Sequence, residues 1–170
     1  EYFSRGLNGA LILGFDYDEE LQKRFYAGLQ MEYGKYIGRA GYYNIRASYG
    51  GFVKKDSYQQ ILFRLKQTFY TSPIKLGPRF MMRQFISVDV NLGFNRPLGK
   101  ELVLNNASGM RGIFTNYIRG TRNYIFNFET DVYPTFKILG FTSSAFAFAN
   151  LAISQKGSMN EFQLKQAYGA

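Results

Sequence analysis

The segment Phe80–Asn95 alternates almost without fault. Phe80, Met82, Ile86, Val88, Val90, Leu92 and Phe94 fall on one side, and Arg83, Ser87, Asp89, Asn91 and Asn95 on the other, with Arg79 just ahead on the polar side. Successive strand side chains point to opposite faces, whereas a helical period of about 3.6 would mix these two sets. The run therefore specifies a strand with one apolar and one polar face. It exceeds the usual length of a globular strand and matches a tilted membrane crossing of about 9–11 residues with an overhang.

The same period recurs along the chain. Leu7, Gly9, Leu11, Leu13, Phe15 and Tyr17 oppose Asn8, Ala10, Gly14 and Asp16; Phe25, Ala27, Leu29, Met31 and Tyr33 oppose Arg24, Gln30 and Glu32. Tyr43, Ile45, Ala47 and Tyr49 oppose Asn44, Arg46 and Ser48, and Ile61, Phe63, Leu65 and Phe69 oppose Arg64, Lys66 and Thr68. Later, Tyr124, Phe126, Phe128 and Val132 oppose Asn123, Asn127, Glu129 and Asp131, while residues 141–153 and 161–168 read as two more strands. This predicts about eight antiparallel strands in one unit spanning residues 1–170. Turns such as Gly38-Arg39-Ala40-Gly41 and the proline-marked breaks at Ser72-Pro73, Gly77-Pro78 and Pro134 fall at one end of the sheet. The fifth connection, residues 95–120, falls at the other. It is too rich in apolar residues and glycines for a plain solvated tail, and a loop of that length in a compact β fold is ordinarily functional or disordered.

Composition narrows the function. The chain has 170 residues, no Cys and no His. Thiolate chemistry, Ser-His and Cys-His arrangements and the usual zinc sites are thereby removed, so an enzyme is not expected, nor is a metal or cofactor. No apolar run approaches the roughly 20 residues of a spanning helix, but strands that alternate average out to near-neutral hydropathy and leave a membrane barrel open. A net charge of +9 points to an anionic partner or a polar channel interior. Rings and charges lie on opposite faces of the same strands, which argues against a single-strand nucleic-acid platform, where they must lie together. No signal peptide is visible at Glu1, which fits a mature chain, a piece of a longer one, or a protein never exported.

The polar faces mix charges with Asn, Gly, Ser and Tyr, unlike the Lys/Glu coat of a soluble surface. They suit a hydrated, crowded lumen, lined by Arg46, Arg64, Lys66, Arg79 and Arg83 with Glu32, Asp89, Glu129 and Asp131 as counter-charges. The expected fold is an all-β, antiparallel, up-and-down transmembrane barrel. A soluble lipid-binding barrel, with its faces reversed, is an alternative, as is a complete eight-stranded outer-membrane barrel with a structural, adhesive or small-molecule role. Within the loop, Arg111 drawn into such a lumen needs a fixed counter-charge, and Glu129 lies on the polar face of the strand that the loop feeds. The competing arrangement leaves Arg111 solvated and pairs Glu129 with a neighbour such as Arg83.

Arg111-Gly112-Ile113-Phe114 on the long loop, Asn127-Phe128-Glu129 on the next strand and Phe148-Ala149-Asn150-Leu151-Ala152 on the one after occur in a telling order. Together they resemble the signature of the BamA/TamA-type superfamily of outer-membrane assembly and secretion barrels, the bacterial surface antigen family. There, an Arg-Gly-aromatic motif on an inward-folding extracellular loop is followed by a strand with an inward acid and a Phe-x-Asp-x-Gly strand. Ile113 stands in place of the aromatic, beside Phe114, and Asn150 and Ala152 stand in place of Asp and Gly. The likeness covers about the second half of the chain.

The resemblance implies that this is the barrel portion only, about half of a sixteen-stranded barrel, with further strands beyond the Tyr168-Gly169-Ala170 end. It implies residence in the outer membrane of a Gram-negative bacterium. The work would be insertion of other barrels or translocation of polypeptides, in contact with outer-membrane lipids, polypeptide substrates and periplasmic or lipoprotein accessory subunits. Arg111 and Glu129 would anchor the loop, Asp131 and Asn150 would assist, and Gly109, Gly112 and Gly120 would let the backbone turn.

Overall fold

The computed structural model describes residues 5–17, 23–54, 57–105, 108–111, 118–137, 140–141, 143–156 and 161–169. The strands are β1 (Gly6–Tyr17), β2 (Lys23–Ile37), β3 (Gly41–Lys54), β4 (Ser57–Thr71), β5 (Ile74–Leu76), β6 (Phe80–Phe94), β7 (Leu102–Val103), β8 (Arg119–Gly120), β9 (Arg122–Pro134), β10 (Ala145–Lys156) and β11 (Glu161–Gly169). No α-helix occurs among the described residues. Nine strands share one antiparallel up-and-down sheet in the order β1-β2-β3-β4-β6-β9-β10-β11, with β5 also paired to β6, and β7 and β8 form a separate two-stranded ribbon.

Eight of these strands correspond to the eight alternating segments of the sequence. The expected closed barrel is not formed: β1 and β11 stand at the two edges of an open sheet. The reading of residues 141–153 as one strand is corrected at its start, since β10 begins at Ala145 and Phe141 lies ahead of it, 77% exposed. The Ser72-Pro73 break separates β4 from β5, and the ladder on β6 slips by one residue across it, from Tyr70 opposite Phe85 to Ile74 opposite Met82. Proline cannot donate to a ladder, and at the slip the Gln84 backbone N–H donates to the Thr71 hydroxyl at 3.0 Å.

The two faces differ as their side chains dictate. The apolar face is open: Leu7, Leu11, Leu13, Phe15, Leu29, Ile86, Phe126 and Phe128 are all exposed. Registered rows cross the polar face. One runs Tyr36, Tyr42, Tyr70, Phe85, Glu129, Phe148. Its rings touch in sequence, with centroids 5.1 Å apart for Tyr36–Tyr42 and Tyr42–Tyr70 and 5.8 Å for Tyr70–Phe85. The next row is polar, Asn44, Thr68, Ser87, Asn127, Asn150, and the one after it reads Glu32, Arg46, Lys66, Asp89, Ile125, Ala152. Near the other end of β2 and β3, Tyr26 lies over Gly28 and Gly50, where an added Cβ at Gly28 would meet the Tyr26 hydroxyl at 2.9 Å. A ring covering strand glycines restores the packing that the missing side chains forgo.

The fully buried apolar side chains gather where the long connection meets β9 and β10. Leu104, Met110 and Ile118 from the connection pack with Ile125 and Ala152 from the polar face of the sheet. Ile125 and Ala152 are the apolar exceptions in an otherwise polar row, and the loop covers them.

Candidate functional site

The connection between β6 and β9 is built as a hairpin laid on the polar face. Leu102 pairs with Gly120 and Val103 with Arg119, and the Leu104 N–H extends the ribbon by donating to Ile118 O at 2.9 Å. Its base is tied to the sheet, with Gly93 N–H donating to Thr121 O at 2.7 Å and Thr121 N–H to Gln155 O at 2.8 Å. Beyond Leu104 the chain turns through a reciprocal pair: Asn105 N–H donates to the Ser108 hydroxyl at 2.7 Å, and Ser108 N–H to Asn105 Oδ1 at 3.1 Å. Polar side chains that bond nearby backbone favour turns of this kind. Gly109 follows with φ at +103°, a backbone conformation that side chains rarely adopt.

This geometry delivers Met110 to the apolar cluster and Arg111 to the end of the aromatic row. Arg111 Nη1 forms an ion pair with Glu129 Oε2, and the guanidinium lies 5.7 Å from the Phe148 ring centroid. Glu129 stands between Phe85 and Phe148 in the register, a carboxylate set among rings. The competing pair with Arg83 does not form. Asn150, 4% exposed, acts on the loop backbone: with its amide oriented by its neighbours, the oxygen accepts from Arg111 N–H at 3.0 Å and the nitrogen donates to Asn127 Oδ1 at 3.1 Å. An Asn suits this place because it can accept from one group and donate to the other, which a carboxylate cannot. A cavity of about 380 Å³ remains between loop and sheet, lined by Lys66, Thr68, Ser87, Gly109, Arg111 and Glu129 among others.

The other expected residues divide. Arg46 pairs with Glu32 at 2.8 Å and Arg64 with Asp89, both on the polar face, and Lys66 lies between them in register. Arg79 is corrected: it sits in the exposed turn between β5 and β6, where its carbonyl takes Thr135 N–H at 2.9 Å, because the strand starts only at Phe80. Asp131 faces Arg83 across the β6–β9 register, yet Asp131 Oδ1 and Arg83 Nε are each buried without a hydrogen bond. The Arg111 side chain meets Glu129 and the Phe148 ring, with no bond to Asp131 among the described residues. Gly120 serves close approach and not a turn, since a Cβ there would lie 2.6 Å from Gln155 O. Gly112, with Ile113 and Phe114, lies outside the described residues.

Sequence reasoning missed the apolar half of the anchor, namely Leu104, Met110, Ile118, Ile125 and Ala152. Its signal was present as Ile125 and Ala152 interrupting polar rows. Arg96 was missed as well. It folds against Gly93, donating from Nη1 to Lys100 O at 2.9 Å, and its burial pushes the guanidinium pKa down from its usual value.

The site thus defined is a hairpin loop fixed on the charged face of an antiparallel sheet by an apolar cluster, the Arg111–Glu129 ion pair and the buried Asn150 amide. No family model, curated protein or solved structure matches the chain.

Proposed function

We propose that this sheet is part of the wall of a transmembrane β-barrel in a bacterial outer membrane, and that the protein inserts other barrel proteins or translocates polypeptides. The observation that carries the reading is the loop pinned by Arg111 to Glu129 on the face that holds the paired charges, while the opposite face exposes its aliphatic and aromatic side chains. Contiguous exposed apolar surface of that kind marks a face covered by lipid or partner. Ion pairs on the other face fit a wet interior. No covalent chemistry is involved. The apolar cluster holds the loop down, and the Arg111–Glu129 pair with Asn150 sets its orientation toward a passing polypeptide. The motif order Arg111, Glu129, Asn150 is what connects this anchor to assembly barrels.

The test is Arg111→Ala in protein reconstituted in lipid vesicles, scored by insertion of an unfolded client barrel and by heat-modifiable migration of the protein itself. Lost client insertion with intact migration is the expected result, and the exchanged pair Arg111→Glu with Glu129→Arg should restore part of it. Full activity in Arg111→Ala refutes the role of the loop. Recovery of the folded chain in the aqueous phase without detergent refutes the membrane reading and favours a soluble barrel.

A complete eight-stranded barrel is the second reading, favoured by the eight long strands paired in sequence order. It requires β1 to pair with β11, and a disulfide between cysteines introduced at Leu11 and Leu164 would report that pairing.

A further inference from the structure

We propose that the polar face carries a binding site for a phosphate-type dianion, free or as a phosphomonoester, in the pocket lined by Gln30, Arg46, Ser48, Arg64 and Lys66. This pocket of about 180 Å³ lies across β2, β3 and β4 and shares Lys66 with the cavity under the loop, and every lining side chain is a hydrogen-bond donor. The register brings them together: Gln30 opposes Ser48, Ser48 opposes Arg64, and Arg46 opposes Lys66.

The two neighbouring carboxylates are already committed. Glu32 accepts from Arg46 Nε at 3.1 Å and from Asn44 at 2.8 Å. Asp89, 3% exposed, accepts from Arg64 Nε at 3.1 Å and from Asn91 at 2.9 Å. Both arginines use Nε and Nη2 for these bonds, which leaves Nη1 of each for the pocket. Lys66 opposes Asp89 in the register, but Asp89 is filled by Arg64 and Asn91, and no acid pairs with the Lys66 ammonium among the described residues. Three cations against two engaged carboxylates leave one net positive charge, with no carboxylate in the lining.

The ligand class follows from the donors. Guanidinium N–H groups match the oxygens of phosphate, and a lysine adds a point charge. A carboxylate has two oxygens and would leave donors unused, whereas the four oxygens of a tetrahedral anion reach donors on three strands. At about 30 Å³ per water, the pocket holds roughly six waters, which is room for a phosphoryl group with its ester oxygen. Its rim is open, as the Arg46 and Arg64 side chains are 48% and 43% exposed.

The experiment is calorimetric titration of the folded chain with inorganic phosphate at constant ionic strength, chloride replacing phosphate in the blank. Saturable binding at one site is expected, weakened at least about tenfold by Lys66→Gln through loss of a charge-assisted bond. Gln30→Glu, which places a carboxylate in the lining, should weaken it as much, and Lys35→Gln, on the opposite face of β2, should leave it unchanged. Competition by glycerol 1-phosphate would assign the site to phosphomonoesters, and its absence to the free ion. Phosphate binding no better than chloride overturns the proposal, as does binding unchanged in Gln30→Glu. Should Lys66→Gln fail to fold, Gln30→Glu alone decides. The outcome is independent of client insertion, so this site and the loop function stand or fall separately.

Discussion

Met110→Ala should release the loop more than Arg111→Ala does, although the arginine carries the recognisable motif. Met110 is fully buried against Leu104, Ile118, Ile125 and Ala152. Truncating a buried methionine to alanine costs about 2–5 kcal/mol in a full core. The five-residue cluster here sits at the lower end, so about 2–3 kcal/mol is the working figure. At about 1.4 kcal/mol per decade, that shifts the docked-to-undocked ratio by roughly 30- to 150-fold. The ion pair is worth less. Its side chains are 53% and 21% exposed, and a pair so open to solvent contributes about 0.2–1 kcal/mol. Arg111→Ala also keeps the backbone bond to Asn150 at 3.0 Å. Amide hydrogen exchange over residues 102–111, read by mass spectrometry on protein in micelles, measures the loop opening directly. Leu104 N–H, bonded to Ile118 O, is the most informative probe. Leu98→Ala is the control, because Leu98 is 94% exposed and touches no core. If Arg111→Ala accelerates exchange more than Met110→Ala, or if Met110→Ala behaves like Leu98→Ala, the loop is not held by its apolar cluster and the reasoning fails.

Asn150→Leu, at a side chain 4% exposed, removes the partner of both Arg111 N–H and Asn127 Oδ1, two hydrogen bonds worth about 0.5–1.5 kcal/mol each. Faster exchange at Arg111 with unchanged exchange in β2 and β3 is the expected pattern. Gly50→Ala would put a Cβ 2.9 Å from Tyr26 Cζ and 3.0 Å from Gly28 Cα; overpacking of this kind costs about 1–3 kcal/mol, seen as a lower urea midpoint that Tyr26→Ala in the same chain partly restores. Gly120→Ala meets backbone in place of a movable ring, at Gln155 O. It should therefore loosen the base of the loop with no such rescue, measured as faster exchange at Thr121.

The strands were legible because period-two alternation is a local signal that needs no knowledge of partners. Phe80–Phe94 could be read from its own residues, and so could the face on which Arg46, Arg64 and Asp89 stand. Closure was not legible in the same way. Whether β1 meets β11 depends on twist and on neighbours that no single segment encodes, and the sheet is open. Arg79 was misplaced because the residue just ahead of a strand was assigned to the strand's polar face, whereas it belongs to the exposed turn and the strand begins at Phe80.

The anchor was legible in its charges and hidden in its apolar part, and the asymmetry has a physical cause. An arginine on a loop and a glutamate on a polar face each carry an unmet electrostatic need, so a pairing can be argued from two residues. A buried cluster has no such requirement at any one position. Leu104, Met110 and Ile118 look like ordinary loop residues until the hairpin folds, and Ile125 and Ala152 look like flaws in a polar pattern. Those two exceptions face the polar side together, opposite each other in the β9–β10 register. An apolar pair registered across adjacent strands on a wet face must be covered by something, and the chain segment long and apolar enough to cover it is the β6–β9 connection. Arg111 then reaches Glu129 because Met110, its neighbour in sequence, is fixed in that cluster.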